Sequence, residues 1–128
     1  MLQELATIFL LLLAFDAVWL TLTASQTQAM IAAIQKQPLS IRWIPALVVY
    51  IVMAGAIYWF AVAESKTVHQ AALRGAGIGA AMYGVYDMTN HATLAQYPLQ
   101  FALTDIVWGT TLCATTAAAT KWLKETRI

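Results

Sequence analysis

Asp16, Asp87 and Asp105 each stand inside a hydrophobic stretch long enough to cross a membrane. An aspartate at bilayer depth costs roughly 2.5–3.5 kcal/mol on insertion scales. Three unsolvated ones would cost on the order of 8–10 kcal/mol, a large part of the roughly 5–15 kcal/mol that stabilises a small domain. Such carboxyl groups have to be partnered, protonated or wet. Groups that pass between those states are what transporters use to carry protons.

The densest polar segment surrounds the second of them. Helical spacing sets Asp87 and His91 on one face, with Tyr83 a turn earlier and Gly84 beside it. Tyr86 and Asn90 form a neighbouring stripe, with Thr89 and Thr93 close by. Asp16 and Trp19 are three apart, as are Asp105 and Trp108, so an indole N–H can donate to a carboxylate on a neighbouring helix. Two readings compete. In one, the aspartates are polar glue, hydrogen-bonded between helices for packing alone. In the other, they converge with Asn90 and His91 on a site for a proton or small cation, supported by Trp19, Tyr83, Tyr86, Thr89 and Trp108; their similar depth favours this one. A dedicated metal site has less support. Asp87 and His91 supply only two ligands, His69 belongs to the opposite loop, and a third would have to be Asp16 or Asp105. His91 is expected at the interface, bonded to Asp87 or water and able to gate a proton.

The chain that must position these residues has 128 residues, 61% hydrophobic and 10% charged, where a soluble domain carries about 25% charged residues. About 20 apolar residues cross the hydrocarbon core, and four windows qualify: 5–24, 44–63, 71–92 and 101–119, with Pro45 suited to the first turn of the second. An open sheet would leave its edge groups unsatisfied in lipid. The expected fold is therefore all-α, a polytopic four-helix transmembrane bundle forming one domain over residues 1–128. Residues 26–42 read as an interfacial segment, with Met30, Ile31 and Ile34 on one side of a short helix ended by Pro38. Residues 93–100 are short and uncharged, and Tyr97-Pro98 suits a tight interfacial turn. Trp43, Tyr50, Tyr58, Trp59 and Trp122 read as belt or packing residues.

Lys66, Arg74, Lys121, Lys124 and Arg127 fall on one side, and only Lys36 and Arg42 on the other. The positive-inside rule then places both termini in the cytoplasm. Glu4 sits where a signal peptide would be positive, so the first helix is expected to be retained. At a rise of about 1.5 Å per residue, Asp87 and Asp105 lie about 7 Å, and Asp16 about 2 Å, outside their midpoints. The absence of an organelle signal favours a bacterial inner membrane.

Gly75 and Gly79 form a GxxxG pair, and Ala80 and Gly84 a small-xxx-small pair. Both are expected to let backbones approach closely, within the bundle or between subunits. A net charge of +1 gives no field for nucleic acid. The single Cys113 lies in an apolar run and reads as an inert buried thiol, which excludes an intrachain disulfide. No lysine lies within a span, which excludes a retinal Schiff base, and there is no GxSxG, HExxH or P-loop. Residues 75–80 only loosely follow a dinucleotide fingerprint, with no preceding strand. No cofactor is implied.

Phe15-Asp16-Ala17-Val18-Trp19-Leu20, the run from Tyr86-Asp87 through Asn90-His91 to Thr93-Leu94, and Asp105-Ile106-Val107-Trp108-Gly109 together resemble the signatures of domain of unknown function 2177. The resemblance covers nearly the whole chain. It implies a four-helix membrane protein with these same polar positions, and no established activity.

The leading expectation is a non-enzymatic role in proton- or cation-coupled transport. The alternatives are an accessory or structural subunit of a larger membrane assembly, and a membrane-embedded enzyme acting on a lipid-like substrate. Four short helices enclose little volume, so a homodimer or larger complex in the bilayer fits all three.

Overall fold

The structure, a computed structural model, describes residues 1–126. Arg127, one of the basic residues weighed above, lies outside the described residues. Five helices follow one another, with no strand among the described residues. Helix α1 (Leu2–Leu22) is a leucine-rich run that stops at Thr23, whose hydroxyl returns to the Trp19 carbonyl at 2.9 Å. Helix α2 (Ala24–Gln35) begins immediately, so the first span ends short of Ala24 and the interfacial helix starts earlier than expected. Lys36, not Pro38, ends α2: it adopts the left-handed conformation (φ 62°) and its N–H closes on the Ala32 carbonyl at 2.9 Å.

Helix α3 (Trp43–Ile57) runs on through one π-helical turn (Tyr58–Val62). The wider turn brings the adjacent Ala61 and Val62 both into the core. It also presents the Phe60 carbonyl to the Arg74 guanidinium at 3.4 Å, which places Arg74 on the following helix and not in the loop. Helix α4 (Val68–Thr93) is capped by Thr67, whose hydroxyl accepts from the Gln70 N–H at 3.0 Å, while the Gln70 side chain accepts from the Lys66 N–H at 2.7 Å. Thr67→Ala is expected to cost about 1 kcal/mol, read as a lower unfolding midpoint in SDS titration; an unmoved midpoint would show that water replaces the cap. Helix α5 (Leu99–Thr126) completes the chain.

The α4–α5 pair is the closest packed and runs antiparallel. A methyl at Gly75 would lie 2.8 Å from the Ala117 Cβ, and one at Gly79 would lie 2.9 Å from the Cys113 Cβ and run into the Gly109 carbonyl. The GxxxG seam is therefore used within the chain. Gly84 is different. A methyl there meets nothing within 4 Å, so the Ala80–Gly84 pair is not part of this seam. Helix α1 packs on α3 and α5 around Ile8, Leu12, Ile57 and Leu112. Helix α2 folds back over the α4–α5 turn, setting Met30 against Tyr97 and Ala102, with Ile31 and Ile34 beside them. This matches the apolar side read from its sequence.

The outward faces of α1 and α3 are apolar: Leu10, Val18, Val48, Ile51 and Val52 are each more than half exposed. Lipid, not water, suits such a belt. Two segments, Leu2–Leu22 and Trp43–Val62, are long and apolar enough to cross a membrane. The windows at 71–92 and 101–119 fall on helices of 26 and 28 residues, which are long enough but too polar to meet the same criterion. Arg74, Asp87 and Asn90 on α4 and a series of threonines on α5 account for the difference.

Candidate functional site

Asp16 is almost wholly buried on α1 and has two donors from other helices. The Tyr50 hydroxyl of α3 bonds one carboxyl oxygen, and the Trp108 indole of α5 donates to the other at 3.0 Å. Trp108 in turn stacks on Trp19, with ring centroids 4.9 Å apart and planes 5° from parallel. One carboxyl group thus ties three helices together. The tie follows from the sequence locally: Trp19 lies one turn beyond Asp16 on α1, so the indole that stacks on Trp108 also fixes the side of α1 that faces α5.

Asp87 has no exposed surface. The Tyr97 hydroxyl donates to its Oδ1 at 2.5 Å, and its Oδ2 has no hydrogen-bond partner. The Asp105 carboxyl of α5 interacts with the Asp87 carboxyl and with the Trp19 indole. The antiparallel register that sets Gly79 against Gly109 also sets Asp87 opposite Asp105. The side chain of Asn90 reaches both the Tyr86 and the Tyr97 hydroxyls. Tyr97 lies in the turn between α4 and α5. Burial, and then its bond to Asp87, hold its phenol above the usual range for tyrosine, so it remains a donor.

These groups surround a cavity of about 460 Å³. Asp16, Asp105, Tyr83, Tyr86, Asn90 and Tyr97 line its polar side, and Met30, Ile31 and Ile34 of α2 line its apolar side. Asp87 does not line the cavity but adjoins Asp105, which does. The three aspartates expected to converge are thus joined through Trp19, Trp108 and Asp105.

Two expectations are corrected. His91 does not bond Asp87. Its Nδ1 lies 2.8 Å from the Tyr97 carbonyl, a hydrogen bond in which the ring N–H donates. The i,i+4 spacing places both residues on one side of α4, but the turn carbonyl captures the imidazole before it can reach the buried carboxyl. Thr89 is exposed, and its carbonyl accepts from the Thr93 hydroxyl at 2.8 Å; it takes no part in the cluster. Two participants were misread from sequence. By sequence Tyr50 reads as a belt or packing residue and Tyr97 as a turn residue, yet each supplies the hydroxyl that an aspartate needs. The available signal was chemical: a tyrosine hydroxyl in an apolar run requires a partner. No group of three histidine, cysteine, aspartate or glutamate side chains able to hold a metal ion occurs among the described residues.

A family described as a predicted membrane protein (DUF2177) matches residues 1–122. No curated protein and no solved structure matches the chain.

Proposed function

Because the chain belongs to the DUF2177 family of predicted membrane proteins, we propose that α1, α3, α4 and α5 all cross the bilayer and carry a proton- or cation-coupled transport site built on Asp16, Asp87 and Asp105. The polarity of α4 and α5 is compatible with this because most of it is satisfied internally. The hydroxyls of Thr104, Thr110, Thr111 and Thr120 each return to the carbonyl four residues earlier, at 2.8–2.9 Å, so a lipid-facing threonine brings no unpaired donor with it. Asp87 is turned fully inward. The distribution of Lys66, Lys121 and Lys124 favours cytoplasmic termini, in a bacterial inner membrane.

One observation carries the reading. A fully buried carboxyl has one oxygen on Tyr97 and the other without a donor, and it adjoins a second carboxyl that opens on a cavity. Two neighbouring carboxyl groups repel when both are ionised, which favours a proton or a cation beside them. Asp16 from α1, Tyr83 and Tyr86 from α4 and Tyr97 from the turn are the titratable groups facing that pair. A solute entering the cavity can take the proton's place. The accessory-subunit alternative loses one support, since Gly75 and Gly79 are occupied inside the chain and cannot serve as a docking face.

The test is proton flux into proteoliposomes under an imposed pH gradient. Wild type is expected to conduct or exchange protons, and Asp87→Asn to fall to the level of empty vesicles. Equal leakage by the two folded proteins would remove the transport reading.

A further inference from the structure

We infer that the site takes an amphiphilic organic monocation, a protonated or quaternary amine with an apolar tail, instead of a bare inorganic ion. This rests on the transport reading above and names its substrate class. The cavity, at about 460 Å³, is of the size that encloses organic ligands and is far larger than any single ion requires. Its lining joins the carboxyl groups of Asp16 and Asp105 to the aromatic side chains of Trp19, Tyr83, Tyr86 and Phe101. Carboxylates beside aromatic rings recognise ammonium groups. No lysine, arginine or histidine occurs in this lining, so phosphate and carboxylate ligands find no counter-charge.

A second hollow supplies the tail site. Val49, Met53 and Met82 line an apolar groove of about 300 Å³ between α3 and α4, and Tyr83 and Tyr86 belong to its walls as well as to those of the polar cavity. The two spaces share the same pair of phenol rings. A cationic head between Asp16 and Asp105 therefore leaves its hydrocarbon tail beside flexible methionines. The fully buried Asp87 adjoins Asp105, which lines the cavity, so an acid in the lining is backed by a second carboxyl with no access to solvent. When the cation enters, the proton held between Asp87 and Asp105 leaves to water, so the charge in the site is unchanged.

The experiment is equilibrium binding to the full-length protein in lipid nanodiscs, read by quenching of the Trp19–Trp108 pair and by proton release in weak buffer. The probes are hexyltrimethylammonium, tetramethylammonium and hexyl sulfate. Saturable binding of hexyltrimethylammonium is expected, with about one proton released per cation and no binding of hexyl sulfate. Asp105→Asn is expected to weaken it about tenfold or more, the loss of one close charge pair. Val49→Trp, on the exposed rim of the groove, is expected to weaken hexyltrimethylammonium binding while sparing tetramethylammonium. Since Val49 lies outside the carboxyl cluster, this variant keeps the test valid if Asp105→Asn fails to fold. Equal binding of hexyl sulfate, absence of saturable binding, or unchanged affinity in both variants overturns the inference. If Asp87→Asn still abolishes proton flux while hexyltrimethylammonium does not bind, the substrate class is wrong and the transport reading stands. If both fail, the site has neither role.

Discussion

Gly79→Leu is expected to prevent α4 and α5 from closing and to remove the folded protein from detergent extracts. Even a single methyl at Gly79 has no room, because it runs into the backbone carbonyl of Gly109 and lies 2.9 Å from the Cys113 Cβ. A carbonyl of a neighbouring helix cannot rotate aside as a side chain can. Overpacking costs about 1–3 kcal/mol where side chains are free to yield, and a leucine against a rigid backbone should exceed that range. The control is built into the same helix. Gly77 and Gly84 have nothing within 4 Å of an added methyl, so Gly77→Leu and Gly84→Leu should change stability by no more than about 1 kcal/mol. The measurement is resistance to SDS unfolding, followed by helical circular dichroism. If Gly79→Leu matched Gly84→Leu, the seam described here would be wrong. Gly109→Ala tests the same contact from α5. Its methyl would lie inside the Tyr83 ring, and Tyr83 also lines the cavity, so this variant should disturb ligand binding as well as stability.

Those glycines show how far the sequence could be read. Gly75, Gly79 and Gly84 all belong to small-residue pairs at the same spacing, and spacing alone cannot say which pair meets a neighbour. Facing direction depends on the partner helix, and Gly109 and Cys113 lie more than twenty residues further along the chain. The same holds for the acid cluster. Asp16, Asp87 and Asp105 were legible because an ionisable group in an apolar run is conspicuous whatever its partner. Their partners were not. Tyr50 is 34 residues from Asp16, and Trp108 is 92 from it, so both contacts arise only after three helices have packed. Tyr97 lies ten residues past Asp87, beyond the end of α4, where a helical-face argument no longer applies. Sequence offers His91 either Asp87 or water as a partner, and the Tyr97 carbonyl that it bonds carries no sequence signature. The helices themselves were legible, since each of the four apolar windows falls on one. The limits of α1 and α2 were not, because Thr23 breaks the chain at a residue that any helix tolerates.

The packing and transport readings of the acids meet in one place. Asp16, with donors on both oxygens from α3 and α5, has the arrangement of polar glue. Asp87 and Asp105 do not, because one oxygen of Asp87 is left without a donor beside another acid. A cluster made only to hold helices would be more stable with that oxygen bonded or with an asparagine in its place. The environments therefore differ: Asp16 is bonded on both oxygens to neighbouring helices, whereas Asp87 and Asp105 adjoin each other, and the transport reading proposed above rests on that second pair.

Tyr97→Phe is expected to be the most informative change at that pair. It removes a single hydroxyl and keeps the ring, so the edge-to-face contact with Phe101 (centroids 5.4 Å apart, planes at 85°) and the packing under Met30 persist. Asp87 then keeps only the neighbouring Asp105 carboxyl as a polar contact, at zero exposure. A hydrogen bond to a charged group contributes about 1.5–3 kcal/mol, and an orphaned buried acceptor adds to the loss, so about 2–4 kcal/mol should disappear. Asp87→Asn made in the Tyr97→Phe background should cost less than the sum of the two single changes, with a coupling of at least about 1 kcal/mol. Additive losses would mean that the hydroxyl and the carboxyl do not act on each other. Alkaline pH gives a second readout. Because the folded chain holds the Tyr97 phenol above its usual range, near pH 10 for an unperturbed tyrosine, the bond contributes in full below that pH and fades as the phenol ionises above it. The difference in unfolding midpoint between wild type and Tyr97→Phe should therefore hold steady up to about pH 10 and shrink beyond it. Tyr97→Phe should start lower and lose less over the same alkaline range.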